Sequence, residues 1–233
     1  MRAPAVLLLW DIDGTLLSSH GAGTRAMELA FAECFGVADA FAGVNMAGCT
    51  DPWIFRQAWE RHAPGTAFSE SLARFDAAYR RHLPGVLDAG RVTLKPGLPA
   101  ALETLTARGD VALGLLTGNF EHGAWAKVRA AGIDRFFETG AFGSDDEDRN
   151  RLVPHALRRF AERDRYFTPD RTVVIGDTPR DIACARAHGA KAVAVATGGH
   201  RLEDLRPHGP DVACGSLADP GPLLRFLDGM TRA

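Results

Sequence analysis

Along the chain, continuous apolar runs alternate with segments whose apolar residues recur every three to four positions. Runs of the first kind suit strands buried on both faces, and segments of the second kind suit amphipathic helices packed over them. Strands are predicted at Ala5–Trp10, Val111–Leu116, Arg171–Ile175 and Lys191–Ala196, with shorter ones at Phe137–Ala141 and Val212–Ala213. Crossover helices are predicted at Leu98–Ala107, Ala124–Ala131, Leu152–Arg163 and Pro179–His188.

Between Leu17 and Asp88 the pattern changes. MELAFAECFG, PWIFRQAWERH and SLARFDAAYRRHL keep helical spacing, Gly, Pro and Asp separate them, and no clear strand is evident. The chain therefore reads as an α/β protein, a doubly wound parallel-sheet core of Rossmann-like type with a helical domain inserted after the first strand. Residues 1–16 and 89–233 form the expected core and 17–88 the insert. The chain is expected to cross between them near His20–Gly23 and again through KPGLPAAL, which would make the insert a mobile lid.

Composition narrows the function. A formal net charge of −2 with scattered Lys and Arg gives no footprint for nucleic acid or an anionic membrane, and a small molecule is the expected partner. Cys34, Cys49, Cys184 and Cys214 form no CxxC pair and read mostly as small buried hydrophobes of a reducing compartment, the cytoplasm. MRAPAVLLLW resembles a signal peptide, but Asp11 and Asp13 follow where a small-residue cleavage site belongs. No apolar run approaches the roughly 20 residues of a membrane span.

Three predicted strands end in polar groups. The first runs into DIDGT, which sets Asp11 and Asp13 on one side of an extended chain; two carboxylates so close call for a cation, and hard oxygen ligands suit Mg²⁺. A second strand ends in Thr117, Gly118 and Asn119, and another in GDTPRD, which carries Asp177 and Asp181. Each motif alone also reads as a turn or helix cap. Together they occupy the rim where an open parallel sheet binds ligands.

DIDGT at 11–15, the Thr closing LGLLT, a basic residue opening the following helix and GDTPRD at 176–181 resemble the four motifs of the haloacid dehalogenase-like hydrolases. The insert is similar to that superfamily's type 1 cap, as in phosphoglycolate phosphatase-like members. The resemblance implies that Asp11 attacks phosphorus to form an aspartyl-phosphate and that Asp13 serves as acid and then base. It also implies Mg²⁺ held by Asp11, the main-chain carbonyl of Asp13 and Asp177, with Asp181 orienting the ligands, and Thr117 with the N–H groups of Gly118 and Asn119 on the phosphoryl oxygens. Many relatives carry a lysine in the third motif, where this chain reads DDEDRNRLVPHAL; Arg149 is expected to replace it, with Arg151 as the alternative.

The carboxylate at Asp13 separates the chain from dehalogenating and phosphonate-cleaving relatives, so a small-molecule phosphate ester is the expected substrate. Phosphosugar mutase chemistry and a catalytically lapsed phosphate-binding module are the alternatives. AGCTDPWIF at 47–55 is the expected specificity element, in which Thr50 or Asp51 either faces the leaving group or caps the helix at Pro52. Cys49 stands where similar segments often carry Arg, which argues against an anionic leaving group. GAGTRA at 21–26 matches a dinucleotide fingerprint but does not directly follow its strand, and reads as a flexible entry into the insert. His20, His122, His155 and His200 receive no catalytic role, and a monomer or homodimer is expected.

Overall fold

The computed structural model describes residues 5–88 and 91–232. Strands β1 (Val6–Trp10), β4 (Val111–Leu116), β5 (Gly140–Ala141), β6 (Thr172–Gly176), β7 (Lys191–Val195) and β8 (Val212–Cys214) form one sheet in the order β5-β4-β1-β6-β7-β8. Every pairing is parallel. The chain winds outward from β1 through β4 to β5, then returns to β6 on the other side, so the winding reverses beside β1. Such a reversal opens a crevice at the carboxyl ends of the central strands.

Alternation along β1 divides the core. Leu8 and Trp10 pack on one face, against α4 (Ala100–Arg108), α5 (Glu121–Ala130) and α9 (Gly221–Arg232), while Leu7 and Leu9 pack on the other, against α6 (Leu152–Ala161) and α7 (Pro179–Ala187). Helices α1 (Ala22–Phe35), α2 (Asp51–His62) and α3 (Phe68–Val86) build a separate cluster around Phe31, Phe55, Phe75 and Tyr79, with Phe55 stacked on Phe75 at 4.6 Å between centroids. Helix α8 (Leu202–Leu205) is a single turn. Among the described residues no helix is long and apolar enough to cross a membrane.

The differences from the sequence reading lie at the seams. The two chain crossings pair as an antiparallel ribbon, β2 (Leu17–Ser18) against β3 (Thr93–Leu94), two strands too short to carry a periodic signal. GAGTRA is no flexible entry: α1 begins at Ala22, with Gly21 in the left-handed region ahead of it. Of Phe137–Ala141 only the last two residues pair as strand. The expected boundary at 88/89 meets residues 89–90, and part of the signal-like stretch lies in residues 1–4; both lie outside the described residues.

Leu8 is fully buried and registers between Leu113 and Val173. Leu8→Ala is expected to lower the unfolding free energy by about 2–5 kcal/mol in denaturant titrations, the cost of a cavity in the central strand.

Candidate active site

Asp11 continues β1 by one residue, its N–H donating to the Ile175 carbonyl at 2.9 Å, and so holds its carboxylate at the sheet's rim. Asp177 follows β6 directly. Thr15 Oγ1 donates to Asp177 Oδ1 at 2.8 Å, so the DIDGT turn also fixes the facing strand end. A Cβ at Gly14 or at Gly198 would overlap the Asp177 carboxylate, and Gly14 also holds φ at +91°; both positions need glycine.

Oxygens of Asp11, Asp177 and Asp181 lie within 4.8 Å of one another, and all three residues are buried. Burial raises the Asp11 and Asp177 carboxyls above the usual carboxylate range, and neighbouring aspartates push them further. Arg149 opposes this from its single helical turn ahead of α6: Nη2 donates to Asp11 Oδ1 at 2.8 Å and to Asp181 Oδ1 at 2.5 Å. Its buried Nε has no acceptor among the described residues.

A cavity of about 350 Å³ opens over these groups, lined among others by Asp11, Asp13, Thr117, Gly118, Asn119, Arg149 and Asp177. Its roof is the 47–51 segment, tied down at several points. Asp51 N–H donates to the Gly118 carbonyl at 2.7 Å, and Arg149 Nη1 donates to the Gly48 carbonyl at 3.2 Å. Arg56 of α2 grips Glu147 through both carboxylate oxygens at 2.5 and 2.7 Å. A Cβ on Gly118 would run into the Cys49 carbonyl, so the roof closes onto that glycine.

Arg151, Thr50 and Asp181 do not line the cavity, whereas Asp13 and Asn119 line it with their polar groups engaged by neighbours. Arg151 is exposed and points to Asp146, 3.7 Å away, whereas Arg149 occupies the site. Thr50 does not line the cavity: its hydroxyl donates to the Glu147 carbonyl at 2.6 Å and accepts from Trp53 N–H at 3.3 Å, which makes it the N-cap of α2 and a roof anchor. Asp181 is committed to other partners, accepting from Thr178 N–H at 2.9 Å and Thr178 Oγ1 at 2.7 Å as well as from Arg149. That leaves it behind Asp11 and Asp177, closing the N-terminus of α7. Asn119 N–H is turned to Thr117 Oγ1 at 3.3 Å. Asp13 does not join the carboxylate cluster through its side chain; that side chain pairs with Lys127, whose Nζ lies 2.5 Å from Asp13 Oδ2.

Lys127 escaped the sequence reading. It belongs to the buried stripe of α5 with Ala124 and Val128, so its signal was a lysine at an apolar position of an amphipathic helix.

The parallel sheet, with carboxylates at two adjacent strand ends and an arginine between them, has the arrangement of one class of hydrolases. A profile of the haloacid dehalogenase-like hydrolases matches residues 6–189, and the chain belongs to that family. It is 30% identical to a phosphoglycolate phosphatase of Rhodospirillum rubrum, over 82% of this chain and 79% of that one. A 5′-nucleotidase of Pseudomonas aeruginosa is 26% identical over 91% of each. In fold the chain is similar to CbbY from Rhodobacter sphaeroides in complex with phosphate, with a TM-score of 0.73 and 21% identity over 94% of this chain and 98% of that one.

Asp51 provides a test of the roof. It is buried, its Oδ2 accepts from Phe120 N–H at 2.8 Å, and burial pushes its carboxyl up to about 7. The folded state then keeps a proton that the unfolded chain releases at its ordinary value near 4, so this group's contribution to stability falls as pH rises from 4 to 7. Asp51→Asn keeps an acceptor for Phe120 and removes the titration. Melting curves are expected to show the variant gaining on the parent between pH 4.5 and 7.5, by roughly 4 kcal/mol at most for three pKa units.

Proposed function

We propose that this chain is a Mg²⁺-dependent phosphatase of small phosphorylated metabolites, working through an aspartyl-phosphate on Asp11. The observation that carries the reading is the convergence of Asp11, Asp177 and Arg149 on one cavity wall. Once ionised, Asp11 and Asp177 on that wall repel a phosphate dianion unless positive charge is added. The donor set, hard oxygens around glycine-cleared space, fits a small divalent cation. Asp11 and Asp177, with the main-chain carbonyl of Asp13, are the residues that would hold Mg²⁺, whose charge when bound lowers the repulsion between carboxylate and phosphate.

In this reading an Asp11 oxygen bonds to phosphorus as the bond to the leaving oxygen breaks, and Asp13 gives that oxygen its proton. Asp13 then takes a proton from the water that attacks the aspartyl-phosphate, which frees phosphate and restores Asp11. Arg149 orients Asp11 and, through Asp181, the turn after β6. Thr117 offers its hydroxyl to the phosphoryl oxygens. Residues 17–88 act as the cap and residues 1–16 with 89–233 as the core. The cap's share of the cavity includes His20, Cys49, Asp51 and Tyr79 but no arginine or lysine, which favours a leaving group without a second anion.

Phosphate release from 4-nitrophenyl phosphate is the direct test. Activity is expected to require Mg²⁺, to vanish with a chelator, and to fall by about 10⁴-fold or more in Asp11→Asn; equal activity of variant and parent overturns the reading. On a metabolite panel, glycerol phosphate is expected to exceed phosphoglycolate in kcat/KM.

A further inference from the structure

The cleft contains a second cation that the reading above leaves without a task. The Lys127 side chain is only 4% exposed, and its Nζ donates to Asp13 Oδ2 at 2.5 Å and to Asn119 Oδ1 at 2.8 Å. A buried ammonium needs acceptors of this kind. The two that it has come from the ends of β1 and β4, and the Asp13 side chain remains 41% exposed, open to the cavity. The cap comes close to the lysine on its other side. At Gly23 of α1 a Cβ would come within 3.2 Å of Nζ, and Gly23 and Tyr79 of α3 line the same cavity.

Asp11 and Asp13 thus each have their own cation, on different elements. Arg149, a rigid fork, bridges Asp11 and Asp181; Lys127, a point charge on a flexible stem, meets Asp13.

We propose that Lys127 is the positioning residue for Asp13. It holds the Asp13 carboxyl group on the leaving-group side of the cleft, beside the cap. From there the carboxyl proton passes to the bridging oxygen as the phosphorus–oxygen bond breaks and the bond from Asp11 forms. The ammonium then balances the carboxylate left on Asp13 until that carboxylate takes a proton from the attacking water. This assignment rests on the phosphatase reading and adds to it which residue places Asp13 and supplies the counter-charge of its carboxylate.

A series of substituted phenyl phosphates tests it, because a better leaving group needs its proton less. Loss of a mere strut between α5 and the cap would lower kcat/KM by one factor across the series. Loss of a positioned acid hits the poor leaving groups hardest. In Lys127→Met, kcat/KM is expected to fall about 100-fold for phenyl phosphate and less than about 10-fold for 4-nitrophenyl phosphate, within the span of general-acid effects. In an Asp13→Asn background the same substitution is expected to add little, since the two residues act as one unit. Should Met at that buried position prevent folding, Lys127→Gln, shorter and still polar, carries the same measurement. A uniform loss across the series, or a full additional loss in Asp13→Asn, overturns the assignment and leaves the phosphatase reading intact. A parent protein that hydrolyses none of the series with Mg²⁺ overturns both.

Discussion

Three buried carboxylates within one cluster repel each other, and the rest of the site is arranged around that repulsion. Asp11 and Asp177 reach the cluster because β1 and β6 are neighbours that end at the same level, and no local rearrangement could separate them without breaking the sheet. One guanidinium, shared between Asp11 and Asp181, offsets part of the charge. The remainder makes the cleft anionic, a poor host for an anion and a good one for a divalent cation. Glycines around Asp177 serve the same end, since the space they leave lets the carboxylate face the cavity instead of packed side chains.

The roof depends on the same group. Arg149 reaches the carboxylates with one nitrogen and the Gly48 carbonyl with another, so the charge that steadies Asp11 also touches the segment covering it. Glu147, two residues earlier, accepts from Arg56 through its carboxylate and from Thr50 through its carbonyl. A single short stretch of the core therefore addresses both the carboxylates and the roof. The position of the roof and the placement of Arg149 are linked through that contact.

Much of this was legible in the sequence, and the rest failed for identifiable reasons. Long strands such as Val111–Leu116 announce themselves as unbroken apolar runs, and the aspartates at 11 and 177 stand out because they interrupt such runs at the rim. The sequence favoured Arg149 and kept Arg151 open because the two lie only two apart; the tight turn sends the first inward and the second to solvent. Thr50 carried two compatible readings, and only the Glu147 carbonyl decides between them. Lys127 was hidden by its company, a lone charge in an apolar stripe whose partners are eight and more residues distant along the chain. The ribbon of β2 and β3 has too few residues to carry a period at all.

That ribbon has a consequence of its own. Because Leu17 faces Leu94 and Ser18 faces Thr93, the two ends of the helical segment leave the sheet domain side by side, separated by about the 4.8 Å spacing of paired strands. The covalent attachment is therefore a single narrow neck, and a change of helix length or number beyond it reaches the sheet only through that neck and through the 47–51 contacts. The carboxylates at 11 and 177 stay where the parallel strands set them, whatever the helices beyond the neck become.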